Sequence, residues 1–120
     1  MKNNGVKFPK SIQDRRRAVR LDVQLPFHIA HQDYEAEVVT INISHNGFYF
    51  RAEKDVPMMT KLSLGVSLPN SKKVIRVQGI VVRKEKDPRT GDFLLAAYIS
   101  EIKAADQKTL EKFIQSRVRP

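Results

Sequence analysis

Val39-Thr40-Ile41-Asn42-Ile43-Ser44-His45-Asn46-Gly47-Phe48-Tyr49-Phe50 is the stretch on which the fold turns. Apolar and polar residues alternate, break at Asn46-Gly47, and alternate again. Strand side chains point to opposite faces with a period of two, so the pattern predicts two strands joined by a tight turn. On that period Val39, Ile41 and Ile43 share the core face, while Asn42 and Ser44 share the other. Gly47 supplies the positive φ that such a turn needs and leaves room for a close backbone approach. Phe48 and Phe50 return to the core, with Tyr49 opposite them.

The same period extends in both directions. Upstream, Val23, Leu25, Phe27 and Ile29 alternate with Asp22, Gln24, Pro26 and His28, which predicts a preceding strand. Pro26 lacks an N–H for a ladder and predicts that this strand lies at an edge or carries a bulge. The second strand, which includes the first half of that stretch, runs from Tyr34 to Ser44. Downstream, Leu62, Leu64, Val66 and Leu68 form a fourth strand ended by Pro69-Asn70. Residues 74–84 form a fifth, with Gly79 marking a bulge or bend, and residues 93–102 a sixth after the loop Asp87-Pro88-Arg89-Thr90-Gly91.

The period then changes to a helical one. Leu110, Phe113, Ile114 and Val118 give an i, i+3, i+4, i+8 stripe, predicting an amphipathic helix over residues 104–117. Asp106 suits its positive end, whereas Lys103 is a poor N-cap. Six short strands followed by one helix predict an all-β antiparallel barrel or sandwich, with the helix covering an opening.

Charge is concentrated at one end. Of the net +9, residues 1–20 supply +6, from Lys2, Lys7, Lys10, Arg15, Arg16, Arg17 and Arg20 against Asp14 alone. Residues 1–14 read as a polar, flexible tail that orders on binding, and residues 15–118 as one domain. Four arginines within Arg15-Arg16-Arg17-Ala18-Val19-Arg20 predict a site for a planar anion, because guanidinium forks match phosphate oxygens and the O6/N7 edge of guanine. There is no cysteine, so disulfides, thiolate nucleophiles and cysteine metal sites are excluded, which suits a reducing cytoplasm. No apolar run is long enough for a membrane span, and no apolar region follows the N-terminal lysines as in a signal peptide.

Catalysis finds no residues to carry it. His28, His31 and His45 have no carboxylate or histidine partner at ligand spacing in the sequence, so no metal is expected. Ser44 and His45 point to opposite faces of a strand, and no acid completes a triad. Glu35 and Glu37 read as alternating acids on a solvated face. No phosphate-cradling glycine loop occurs. The chain reads as a binding module rather than an enzyme.

Two motifs, taken together, sharpen that reading. Arg15-Arg16-x-x-x-Arg20 followed by Asn42-x-Ser44-x-x-Gly47 resembles the signature of PilZ domains, bacterial receptors for cyclic di-GMP. Gly79-Ile80-Val81-Val82-Arg83 and the last strand leading into a terminal helix extend the likeness over residues 14–118. The resemblance implies a six-stranded barrel with a C-terminal helix, and cyclic di-GMP held between the arginine loop and one outer face. Asn42 and Ser44 would hold a guanine edge, Arg16 and Arg20 guanine or phosphate, and Arg83 would stack on a base. Arg15, directly before the Arg-x-x-x-Arg unit, implies two stacked ligands per domain. Arg17 lies between motif positions and reads as a solvated neighbour. The implied output is a surface for a downstream protein, in processes such as motility or biofilm formation, without DNA binding or membrane insertion.

Two other readings compete. A small basic barrel could bind RNA or single-stranded DNA through stacking aromatics, but aromatics are 8% of the chain, Trp is absent, and most Phe residues fall on core positions. A ligand-independent adaptor on the same fold is the other, and the intact motifs argue against it.

Overall fold

The computed structural model describes residues 20–32, 34–69 and 71–118. The tail and Arg15, Arg16 and Arg17 lie outside the described residues. Among the described residues, six strands, β1 (Pro26–His31), β2 (Tyr34–Ser44), β3 (Gly47–Ala52), β4 (Lys61–Ser67), β5 (Val74–Lys86) and β6 (Phe93–Ile102), precede one helix, α1 (Ala104–Val118). The strands close into a barrel in the order β1-β2-β3-β6-β5-β4, every pair antiparallel. Closure decides between barrel and sandwich, and it leaves no edge strand.

The alternation works as expected in most strands. Phe27, Ile29, Phe50, Leu62, Val66, Ile75, Val81 and Leu95 are all essentially inaccessible inside the barrel. Phe27 packs against Phe48 and Phe50 with ring centroids 5.2 and 5.1 Å away, tilted and edge-on respectively. Leu110 and Ile114 of α1 join this core, and Phe113 packs at its margin. With Lys103 unable to cap, the first turn of α1 carries Asp106, whose carboxylate accepts the backbone N–H of Arg76 on β5 at 3.5 Å. Among the described residues, no helix is long and apolar enough to cross a membrane.

Three expectations need correction, all near the deciding stretch. Val39 is half exposed and Ile41 only partly buried, whereas Thr40 is buried beside Val38. The cause is a bulge: Thr40 pairs with Phe50 and Asn42 with Tyr49, leaving Ile41 as an extra residue. Before it the even positions point inward; after it Ile43 does.

The turn is also one residue earlier than expected. Ser44 pairs with Gly47, so His45 and Asn46 form the two-residue connection, and Gly47 does not take a positive φ. Gly47 is needed for a different reason: a Cβ there would sit 2.7 Å from the carbonyl oxygen of Ala97 on β6. The glycine permits β3 and β6 to approach.

Pro26 is at neither an edge nor a bulge. It is the first residue of β1, opposite Val39, where its missing N–H is tolerated. The residues before it are not a strand, because Thr40 reaches them with its side chain. Its hydroxyl accepts the Leu25 N–H at 2.9 Å and donates to the Val23 carbonyl at 2.5 Å.

Candidate ligand-binding face

The site is built from the segment that leads into β1. Leu21 and Ile43 exchange two backbone hydrogen bonds, Leu21 N–H to the Ile43 carbonyl at 2.8 Å and Ile43 N–H to the Leu21 carbonyl at 3.0 Å. Leu21 packs against the core, so its neighbours Arg20 and Asp22 face outward and are exposed. The antiparallel bridge sets Arg20 beside Ser44 and Asp22 beside Asn42. Thr40 holds the same segment further along. The last arginine of the cluster is thereby brought to the strand carrying Asn42 and Ser44.

From there the outer face continues in register across the sheet. Asn42 pairs with Tyr49, Tyr49 with Ala96, and Ala96 with Arg83, forming one row over β2, β3, β6 and β5. Ser44, Gly47, Tyr98, Ile80 and Lys61 form the adjacent row. At about 4.8 Å per strand, Arg83 lies about 14 Å across the sheet from Asn42. The expected residues Arg20, Asn42, Ser44, Gly47 and Arg83 therefore belong to one face of the barrel. Arg15 and Arg16 lie outside the described residues.

Ser44 is nearly covered, and its hydroxyl is engaged locally. It donates to the Asn46 Oδ1 at 2.7 Å, is 3.3 Å from the Gly47 carbonyl, and faces the Asn46 N–H at 3.4 Å. A hydroxyl has a single proton, and the shorter contact claims it. A ligand bonding to Ser44 must use its free lone pair or displace the Asn46 side chain. Asn46 was missed in the sequence, where it read as a turn residue; its own carbonyl also accepts the Ile99 N–H at 2.9 Å and ties the turn to β6.

Some cations elsewhere on the barrel are held by carboxylates. Arg51 is held by Asp87 and Asp92, at 3.2 and 3.4 Å, and Lys84 by Asp55 at 2.7 Å. Among the described residues, Arg20 and Arg83 enter no ion pair and are exposed, so their charges are available to an anion.

His28 does have carboxylate partners, which the sequence spacing hid because one is directly across the strand pair. Its Nδ1 lies 2.6 Å from Glu37 and its Nε2 3.3 Å from Glu35. The group is exposed, and among the described residues no cluster of His, Cys, Asp and Glu has the arrangement to hold a metal ion.

The class defined by these features is a closed, six-stranded antiparallel barrel with a helix added to its core and an outer face fed by a basic N-terminal segment. The PilZ domain model matches residues 14–116, and the chain belongs to the PilZ family. No curated protein sequence matches it. Among solved structures, the inhibitor of motility MotI/DgrA of Bacillus subtilis superposes with a TM-score of 0.75 at 27% identity, over 86% of this chain and 51% of that one. The K. pneumonia MrkH–c-di-GMP complex gives 0.71 at 13% identity, over 87% and 52%. The PilZ domain of YcgR from Escherichia coli, solved with c-di-GMP, gives 0.63 at 15% identity, over 85% and 90%. The last two likenesses are of fold alone. The chain spans about half the length of MotI/DgrA and MrkH.

Proposed function

We propose that this protein is a non-enzymatic, cytoplasmic receptor for cyclic di-GMP and passes ligand occupancy to a partner protein. The observation that carries the reading is the backbone bridge between Leu21 and Ile43, which sets the exposed Arg20, in no ion pair among the described residues, beside Ser44 on the strand that also carries Asn42. Arg15 and Arg16 belong to the same arginine segment and complete its charge. Arg20 offers a fork to a phosphate or to guanine O6/N7, Asn42 an amide to a base edge, and Arg83 a flat cation for stacking at the far end of the row. PilZ family membership and the shared fold with two c-di-GMP-bound structures support the choice of ligand.

In this reading the N-terminal arginines close over the bound ligand and create the surface that the partner reads. That requires tighter binding to the closed form than to the open one, and the arginines supply the difference. With Arg15 adding a cation near the phosphates, two ligands bind per domain. The reading includes no DNA contact; MrkH is described as a c-di-GMP-dependent transcription regulatory factor.

A calorimetric titration with cyclic di-GMP, with GTP, single-stranded RNA and duplex DNA as competitors, tests it. Saturable binding near two ligands per chain that none of the competitors displaces is expected. Displacement by RNA or DNA would replace the reading with nucleic-acid binding, and saturation at one ligand would refute the stoichiometry.

A further inference from the structure

We propose that Tyr98 is a stacking residue for a purine of the bound ligand and contributes to the affinity of this face. The proposal rests on the cyclic di-GMP reading above and adds a residue that neither arginine motif nor the Asn-x-Ser-x-x-Gly motif contains.

Three observations carry it. Tyr98 is 54% exposed although it sits in the middle of the β-barrel wall, and it is the most exposed aromatic among the described large hydrophobics. It is in the same row as Ser44 and Gly47, with Gly47 directly opposite on β3 and Ile80 opposite on β5. At about 4.8 Å per strand, it lies about 10 Å across the sheet from Ser44. The residue that follows it is also tied to the motif: the Asn46 carbonyl, next to the Ser44 hydrogen bond, accepts the N–H of Ile99.

The surroundings suit a flat heterocycle. Tyr49 and Tyr98 are diagonal neighbours on β3 and β6, and the other two positions of that square are the small residues Gly47 and Ala96. The result is two tyrosines at diagonal positions, with nothing larger than a methyl group at the two positions between them. A ring in that setting presents its face to a base, and the cations Arg20 and Lys61 at the two ends of the row suit the attached phosphates. The hydroxyl of Tyr98 has no protein partner among the described hydrogen bonds, so no internal contact accounts for the choice of a tyrosine at this position.

The test uses the whole chain, with Tyr98→Phe and Tyr98→Leu. Leucine keeps an apolar side chain and removes the π-face; phenylalanine keeps the face and removes the hydroxyl. Calorimetric titration with cyclic di-GMP should give wild-type affinity within about twofold for Tyr98→Phe and a loss of about five- to a hundredfold for Tyr98→Leu, the range seen for base–aromatic stacking. Because the chain has three tyrosines and no tryptophan, tyrosine fluorescence is a second readout. Saturating ligand should quench the wild type more than Tyr98→Phe, which still binds.

Unchanged affinity in Tyr98→Leu would overturn the proposal while leaving the cyclic di-GMP reading intact. Equal losses in both variants would overturn it as well, since the hydroxyl and not the ring would then matter. Equal quenching in wild type and Tyr98→Phe would show that the ring does not meet the ligand. If the wild type bound no cyclic di-GMP, the functional reading would fail and this proposal with it. Thermal melts of both variants keep a folding defect distinct from a binding one.

Discussion

Leu21 and Ile43 form an isolated antiparallel bridge, and through it an arginine from one end of the chain is seated beside the Asn-x-Ser motif. The bridge links two parts of the sequence that no local pattern connects. Its position also divides the arginine cluster, because Arg20 is anchored next to a paired residue while the others precede it.

Arg20→Ala should therefore weaken cyclic di-GMP binding without weakening the barrel. A bidentate contact to guanine is worth roughly 1–3 kcal/mol, so the expected loss is about ten- to a hundredfold. The side chain is exposed and forms no ion pair with described residues, and the thermal midpoint should remain unchanged. Titration and a melt on the same preparation check both halves.

Thr40→Val makes the opposite kind of prediction. The substitution keeps the shape but removes the hydroxyl that serves both Leu25 N–H and Val23 carbonyl. Leaving those two groups unpaired should cost about 1–3 kcal/mol of stability. It should also loosen the segment that carries Arg20, so affinity falls although no ligand contact is lost. Urea denaturation measures the first effect; a midpoint unchanged from wild type would show that water replaces the hydroxyl without cost.

Gly47→Ala separates two reasons for a glycine in the motif. The new Cβ would lie 2.7 Å from the Ala97 carbonyl oxygen, a backbone atom that yields only if β3 and β6 part. A destabilisation of about 1–3 kcal/mol is expected even without ligand. A variant with wild-type stability and reduced affinity would instead mean that the glycine serves ligand approach alone.

Asp87 gives a pH dependence. The backbone N–H of Arg89 and the guanidinium of Arg51 hold its carboxyl below the ordinary 3.8. A folded-state value lower than the unfolded one stabilises the protein above the unfolded value, and the contribution disappears as pH falls through the folded value. The stability gap between wild type and Asp87→Asn should be full at neutral pH and close below about pH 4. Chemical denaturation at a series of pH values reads the gap; one that stays constant into strong acid would contradict the assignment.

Much of this was legible from residues alone; what was not depends on register and on partners distant in sequence. The six strands, the terminal helix and the inward Phe27, Phe50 and Ile43 followed from period-two and helical patterns, because a barrel wall is dry on one side and wet on the other. The bulge at Ile41 was hidden, since shifting the period by one residue leaves a stretch of Val, Thr and Ile looking equally strand-like. Thr40 was overlooked for the same reason, and its role depends on partners fifteen and seventeen positions away. Asn42, Ser44 and Gly47 stood out as a motif, but that Arg20 lies next to them, and that Asn46 holds the Ser44 hydroxyl, required the fold. Tyr98 carried no signal in the sequence beyond strand alternation; only register places it opposite Gly47.

The central claim is that cyclic di-GMP binds across the outer face that begins at the bridge between Leu21 and Ile43. Amide chemical-shift mapping during titration with cyclic di-GMP tests it most directly. The account predicts large shifts at Arg20, Leu21, Asn42, Ser44, Asn46, Gly47, Tyr49, Ala96 and Tyr98, with the exposed face of α1 at Lys108 and Lys112 unmoved. Shifts concentrated on α1, or on the hairpin carrying His28 and Glu37, with the bridge residues unmoved, would contradict it.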